Sequence, residues 1–233
     1  MTGGKETNKE FERLFSDVEQ LRKRYFITLA THKLFKRLNV LHVINVVGKR
    51  KAERNAKTLN EYPYFFVSVK ESCRCFFLVE LAKFFDPFKK HNKTRSVYFV
   101  LDFAQKNLHR LTRKHFQSFH KERKILPEVF ATYKELKPSD LKKFEKRLKR
   151  NLRKIKCLKT YRDQYLAHDD IKKIKSRLPT MRELETLLRI VRDVIEFFYY
   201  KLEFASNDYR NFEEEPIRDI DRLVSDLSLV KLY

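Results

Sequence analysis

Arg162 and His168, with five residues between them, are a pair whose types and surroundings suit a chemical reaction. Histidine has an unperturbed pKa of about 6.5, so near neutral pH it can both accept and donate a proton. Arginine stays charged and presents a planar fork of N–H donors that matches phosphate oxygens. The two together suit RNA cleavage without a metal: a base for the 2′-hydroxyl, an acid for the leaving 5′-oxygen, and a fixed cation where negative charge grows around phosphorus. The products would be 2′,3′-cyclic phosphate and 5′-hydroxyl ends.

Spacing alone does not select this pair. Arg37/His42, Arg110/His115 and Arg113/His120 also set an arginine and a following histidine apart by four to six intervening residues. The surroundings separate Arg162/His168 from these. Asp163 follows the arginine, Ala167 precedes the histidine, Asp170 stands two beyond it, and Tyr161 and Tyr165 flank the arginine. Taken on residue types alone, a buried polar pair bracing a helix end is the plainer reading.

Arg162, Asp163, Ala167, His168 and Asp170 resemble, position by position, the R-(N/D)-x-x-x-A-H-x-D motif of the HEPN superfamily, most closely its AbiU-type abortive-infection branch. The resemblance extends to an all-helical chain of this length and to an aromatic helix ending Phe84-Phe85-Asp86. It implies an endoribonuclease acting in phage defence or as a toxin, with an antitoxin as a possible partner. It also implies a homodimer in which the Arg/His pairs of both subunits meet in one cleft. Asp170 is expected to orient His168 or cap the following backbone, and Asp163 to hold Arg162 or accept a backbone donor. Tyr161 and Tyr165 suit stacking on a base, although residues on an apolar stripe more often fill a core. Some HEPN toxins carry a tyrosine two residues after the histidine that an antitoxin nucleotidylates; Asp170 stands there, so that control is not expected. The rival on the same fold is a non-catalytic RNA-binding or toxin–antitoxin interaction module. A third reading is a basic scaffold for acidic proteins.

The elements that must position the pair follow from apolar periodicity. Leu141, Phe144, Leu148, Leu152, Ile155, Leu158, Tyr161 and Tyr165 form one stripe, and the same row reaches His168. A single long helix capped by Ser139 or Asp140 is predicted. On a regular helix a six-residue step turns about 600°, which leaves Arg162 and His168 roughly 120° apart. The opposite face carries Lys146, Arg147, Arg150, Arg153, Lys154, Lys156 and Lys159, with Lys172 and Lys173 beyond the motif. That face is the candidate RNA-gripping surface, against the bland reading of a solvated charged face.

Elsewhere, residues 1–7 read as a disordered start. A stripe from Phe11 to Phe35 predicts a long helix with His32 packed on it. Gly48 opens a charged, poorly patterned stretch to Asn60 that reads as a helix end and loop. Tyr64 to Phe85 is apolar nearly all round and reads as a central helix, with Glu71, Arg74, Glu80 and Lys83 needing partners or a dimer interface. Ser96 caps a short helix, and Pro127 and Pro138 bracket another over 128–136. Thr180 and Glu183 read as a capping box before the stripe Met181, Leu184, Leu188, Val191, Val194/Ile195, Phe198, Leu202. Residues 206–233 turn acidic and then apolar, a possible appendage to a single domain over 1–233.

Composition bounds the rest. A net charge of +22 from 53 basic and 31 acidic residues calls for a polyanion, here RNA. Only three glycines occur, which argues against glycine-rich phosphate cradles and against a hairpin-rich β fold. An all-α, HEPN-like bundle with a helical C-terminal extension is predicted. The three cysteines read as buried reduced thiols, which fits a reducing cytoplasm. His109, His115 and His120 do not share a helical face, so no metal or other cofactor is called for. No apolar run approaches the roughly 18 residues of a membrane span.

Overall fold

Apolar residues recurring every three or four positions from Leu184 to Leu202 generate a helix with one continuous buried face. Leu187, Ile190, Val191, Val194, Ile195 and Phe198 are fully enclosed, while Met181 at its start is exposed. In this computed structural model the described residues are 3–87, 95–120, 132–166, 177 and 179–229, with side chains from residue 9 onward and excluding 165 and 166. Among them every regular element is helical: α1 (Gly3–Val40), α2 (Ile44–Val47), α3 (Lys49–Glu61), α4 (Pro63–Lys83), α5 (Val97–Lys106), a 3₁₀ turn (Leu108–Arg110), α6 (Arg113–Phe119), α7 (Pro138–Arg150), α8 (Leu152–Tyr161), a π-helical turn (Arg162–Leu166), α9 (Met181–Glu203) and α10 (Arg210–Leu227). The predicted all-α class holds.

The chain forms two compact units, one of residues 1–25 and 81–207, the other of residues 26–80 and 208–233. In the first, Phe11, Leu14, Val18, Leu21 and Tyr25 of α1 are buried, as their spacing predicts. Phe11 packs on Phe119 at 4.9 Å, Phe116 stacks on Tyr133 at 4.1 Å, and Phe144 meets Phe197 at 5.2 Å. Burying each such side chain contributes about 1.5–3 kcal/mol. The second unit gathers Leu38, Leu41, Phe66, Ile220 and Val224 into one core. His32 is buried there, stacked on Phe77 at 4.5 Å, the packing role its place on the stripe predicts. The acidic tail is structured: Asp221 takes two hydrogen bonds from Arg37 at 2.8 Å and one from Lys51 at 2.9 Å. Burial raises the Asp221 pKa, but the bonds and charges of Arg37 and Lys51 outweigh it and hold the carboxyl below its ordinary value.

Several expectations are corrected. The helix α1 begins at Gly3, inside the stretch read as disordered. Residues 49–60, read as loop, are helical because the inward face of α3 is small and polar: Ala52, Asn55 and Thr58. Asn55 donates to the Leu41 carbonyl at 2.8 Å, satisfying an acceptor left over at the end of α1. Gly48 links α2 to α3 with φ 82° and ψ 154°, a region that is essentially glycine-only. Nothing lies within 4 Å of a Cβ built there, so the cost of Gly48→Ala is purely torsional. It is expected to lower stability by about 1–3 kcal/mol, read from the urea unfolding midpoint.

The helix α4 is not enclosed on every face. Phe66, Phe77, Leu78 and Leu81 are buried, but Tyr64, Phe65, Val67 and Phe76 face solvent, Tyr64 at 89% exposure. Arg74 pairs with Glu71 at 2.7 Å, one turn away. The helix predicted over 128–136 does not extend to its end: residues 133–137 are non-helical, and 121–131 lie outside the described residues. Ser96 caps α5 as predicted, accepting from the Phe99 N–H at 3.2 Å.

The Thr180 capping box forms. Thr180 Oγ1 accepts from the Glu183 N–H at 3.3 Å, and Glu183 accepts from the Thr180 N–H at 2.9 Å. The Arg177 guanidinium and then the Thr180 N–H hold the Glu183 carboxyl down at about 2, against an ordinary 4.5. A depressed folded-state pKa gives stability that is full above the ordinary carboxylate pKa and is lost as pH falls toward 2. Thr180→Ala is expected to cost about 1 kcal/mol at pH 7, and Glu183→Gln to flatten the decline of Tm between pH 5 and pH 2, measured by thermal melts across that range.

Candidate functional site

The approach to Arg162 is two helices rather than one. The α7 helix starts with Lys137 as its cap, Pro138 in the first turn, and Asp140 accepting from the Lys137 N–H at 3.3 Å. Asp140 therefore lies inside the helix, and neither it nor Ser139 is the cap. At Asn151 the helix is interrupted; the Asn151 amide donates to the Arg147 carbonyl at 2.9 Å, and Lys154 donates to Asn151 Oδ1 at 2.8 Å. The interruption shifts the phase of the stripe. Leu141, Leu148, Ile155, Leu158 and Tyr161 are buried, whereas Leu152 is 42% exposed.

Of the predicted RNA-gripping residues, Lys146, Arg150, Arg153 and Lys156 are exposed. Three others are engaged within the fold: Arg147 pairs with Asp193, Lys154 with Asn151, and Lys159 with Asp86 at 3.1 Å. Lys172 and Lys173 lie outside the described residues. Tyr161 is buried, so its ring fills the core; the side chain of Tyr165 lies outside the described set.

Directly after Tyr161 the helix widens into the five-residue π turn Arg162–Leu166. Such turns insert extra backbone into a helix and frequently mark functional sites. The separation of roughly 120° worked out for a regular helix therefore does not apply across this segment. Arg162 is only 17% exposed and is bracketed by two carboxylates. Its Nη1 donates to both oxygens of Asp86 at 2.9 Å, and its Nε to Asp163 Oδ1 at 2.7 Å. Burial opposes the charge on Arg162, but the hydrogen bonds to Asp163 and Asp86 and their charges prevail, and its pKa is raised. The arginine is thus a permanent, oriented cation. His168 and Asp170 lie outside the described residues.

The other three Arg/His spacings lead elsewhere. Arg37 is bound to Asp221, Arg110 pairs with Glu10, and Arg113 donates to the Tyr133 carbonyl at 3.0 Å. His115 meets Thr112 at 3.1 Å, and buried His120 meets the Leu202 carbonyl at 2.6 Å. Among the described residues no group of three His, Cys, Asp or Glu suits a metal ion.

Asp86 is the site residue that sequence reasoning missed. It follows Phe84 and Phe85 at the end of α4 and is 9% exposed. A carboxylate set straight after two buried aromatics and before Pro87 is a signal that it has an inward partner, but no spacing rule links it to a residue 76 positions away.

The all-helical architecture of the described residues is consistent with a HEPN-like bundle. A family profile described as AbiU2, of the HEPN superfamily, matches residues 6–223, and the chain belongs to this abortive-infection family. No curated protein and no solved structure gives a significant match. No described helix is long and apolar enough to cross a membrane.

Proposed function

We propose that this protein is a metal-independent endoribonuclease of the HEPN type, acting in phage defence or as a toxin. The observation that carries the reading is Arg162 itself: an oriented cation, bracketed by Asp86 and Asp163, standing where the exposed basic residues of α7 and α8 end. In this reading His168 takes the 2′-hydroxyl proton as the 2′-oxygen attacks phosphorus. The bond from phosphorus to the 5′-oxygen breaks, and that oxygen receives a proton from a second acid. Arg162 stabilises the charge that builds on the non-bridging oxygens. A homodimer brings two such pairs together and supplies base and acid from different subunits; sedimentation measures that state.

One observation favours the rival, a non-catalytic RNA-binding or toxin–antitoxin module: an arginine bound by two carboxylates is also what a purely bracing residue looks like. Cleavage of total cellular RNA in EDTA separates the two. Wild-type cleavage that leaves cyclic phosphate ends, absent from His168→Ala, supports the nuclease. RNA binding by both proteins without cleavage by either supports the module.

A further inference from the structure

Asp86 is mounted differently from Asp163, although both carboxylates bind the same guanidinium. Asp86 ends a turn whose two preceding residues, Phe84 and Phe85, are 0% and 1% exposed. The Phe84 carbonyl accepts from the Val97 N–H at 2.9 Å, the Phe85 N–H donates to Ala82 at 3.0 Å, and the Asp86 N–H donates to Lys83 at 3.3 Å. The Phe84 ring also lies under the Arg24 guanidinium at 4.8 Å. The Asp86 side chain is 12% exposed, whereas that of Asp163 is 57% exposed and sits on the neighbouring residue of the same backbone. One carboxylate is built into the unit; the other is a solvated side chain.

Asp86 also reaches a second cation. Lys159 is three residues before Arg162, one turn earlier on the same helical row, and its Nζ is 3.1 Å from Asp86 Oδ1. A single carboxylate therefore sets an ammonium and a guanidinium side by side. Asp86 uses Nη1 of the fork, and the Nε edge is met by the exposed Asp163. An anionic oxygen approaching from solvent meets the Asp163 edge first, and displacing a solvated carboxylate costs little, because exposed ion pairs are worth at most about 1 kcal/mol.

We propose that Asp86 is a positioning residue for RNA cleavage: it acts through Arg162, fixing that guanidinium beside Lys159 as a two-cation subsite for the scissile phosphate. Resting on the ribonuclease reading above, this assigns the phosphate site to a carboxylate outside the Arg162–Asp170 motif. Asp86 makes no contact with substrate; its effect is geometric, and misplacing a catalytic group by about 1 Å can cost about 10²-fold in rate.

The test is single-turnover cleavage of cellular RNA in EDTA, together with binding of a fully 2′-O-methylated RNA that cannot be cut. It uses wild type, Asp86→Asn, Asp86→Glu, Arg162→Ala and the double variant Asp86→Asn/Arg162→Ala. Asp86→Asn is expected to slow cleavage by about 10²-fold and to leave binding unchanged or tighter, since it removes one negative charge beside two cations. Loss of fold would weaken binding and cleavage alike. In the Arg162→Ala background, Asp86→Asn is expected to cause no further loss, because the two residues act as a unit. Multiplicative losses in the double variant, or wild-type rates for Asp86→Asn, overturn the proposal. If Asp86→Asn does not fold, Asp86→Glu carries the test: it keeps the charge and moves it by one methylene, and a wild-type rate in that variant overturns the proposal equally. Wild type that binds RNA without cutting it sinks the nuclease reading and this inference together. Wild type that cuts, with Asp86 variants that cut as fast, sinks the inference alone.

Discussion

Replacing His168 with alanine is expected to slow RNA cleavage by about 10²–10⁴-fold, the range that a positioned acid–base group supplies. A 2′-hydroxyl is a poor nucleophile until its proton is removed, and among the motif residues only the histidine titrates near working pH. Arg162 cannot substitute for it, because its carboxylate partners outweigh burial and keep it charged. The rate should therefore need one histidine deprotonated as base and its counterpart protonated as acid, giving a bell-shaped pH profile that is lost in His168→Ala. Binding of uncleavable RNA should change little, since the exposed basic face of α7 and α8 is untouched. Single-turnover rates from pH 5 to pH 8, paired with binding isotherms, measure both. A variant that cuts at the wild-type rate places the activity outside the motif.

The second large effect concerns the exposed basic face. Lys146, Arg150, Arg153 and Lys156 project from α7 and α8, and among the described residues none of the four forms an ion pair with a carboxylate. If each neutralises one phosphate of a single strand, the four contribute a slope of about −2.8 to log K against log salt, or about 50-fold weaker binding for a fourfold rise in salt. Changing all four to glutamine is expected to remove that component, leaving RNA binding weaker at low salt and much less sensitive to added salt. By contrast, neutralising Lys159, which pairs with Asp86 in the subsite for a single phosphate, should lower the salt slope by at most about 0.7. Titrations with fluorescent RNA from 50 to 300 mM salt distinguish the two sets. Equal slopes for wild type and the quadruple variant would remove this face from the RNA path.

What could be read ahead of the structure divides along a physical line. Helices whose inward face is apolar were legible: the spacing of Leu184, Leu188, Val191, Phe198 and Leu202 finds α9, and that of Phe11 to Tyr25 finds α1. Helices stabilised otherwise were not. The buried face of α3 is Ala52, Asn55 and Thr58, so its signal is absence of bulk rather than presence of oil. Position in the structure also overrode pattern at α4, where Tyr64 and Phe65 look as buried as Phe66 by sequence and face solvent instead. The site shows the same split. Arg162 and Asp163 are adjacent and their bond is a local event, so the motif anticipates it. Asp86 meets Arg162 only because the end of α4 and the π turn are brought together by folding, which no local spacing encodes. The break at Asn151 was hidden for a related reason: its amide caps the Arg147 carbonyl, and an asparagine in a basic run gives no warning of that.

The second unit depends on residues from nearly opposite ends of the chain. Leu38, Leu41 and Phe66 wait for Ile220 and Val224, and Arg37 and Lys51 wait for Asp221. On the ribosome, then, the first unit receives its last residue at Asn207, while the second acquires the remainder of its core only as α10 is made. A chain stopped just after residue 207 would present Leu38, Leu41 and Phe66 without their covering side chains, the kind of exposed apolar surface that quality-control proteases and chaperones act on. Termination just after residue 207 would therefore be read by the cell as misfolding, after the helix leading to Arg162 had been synthesised.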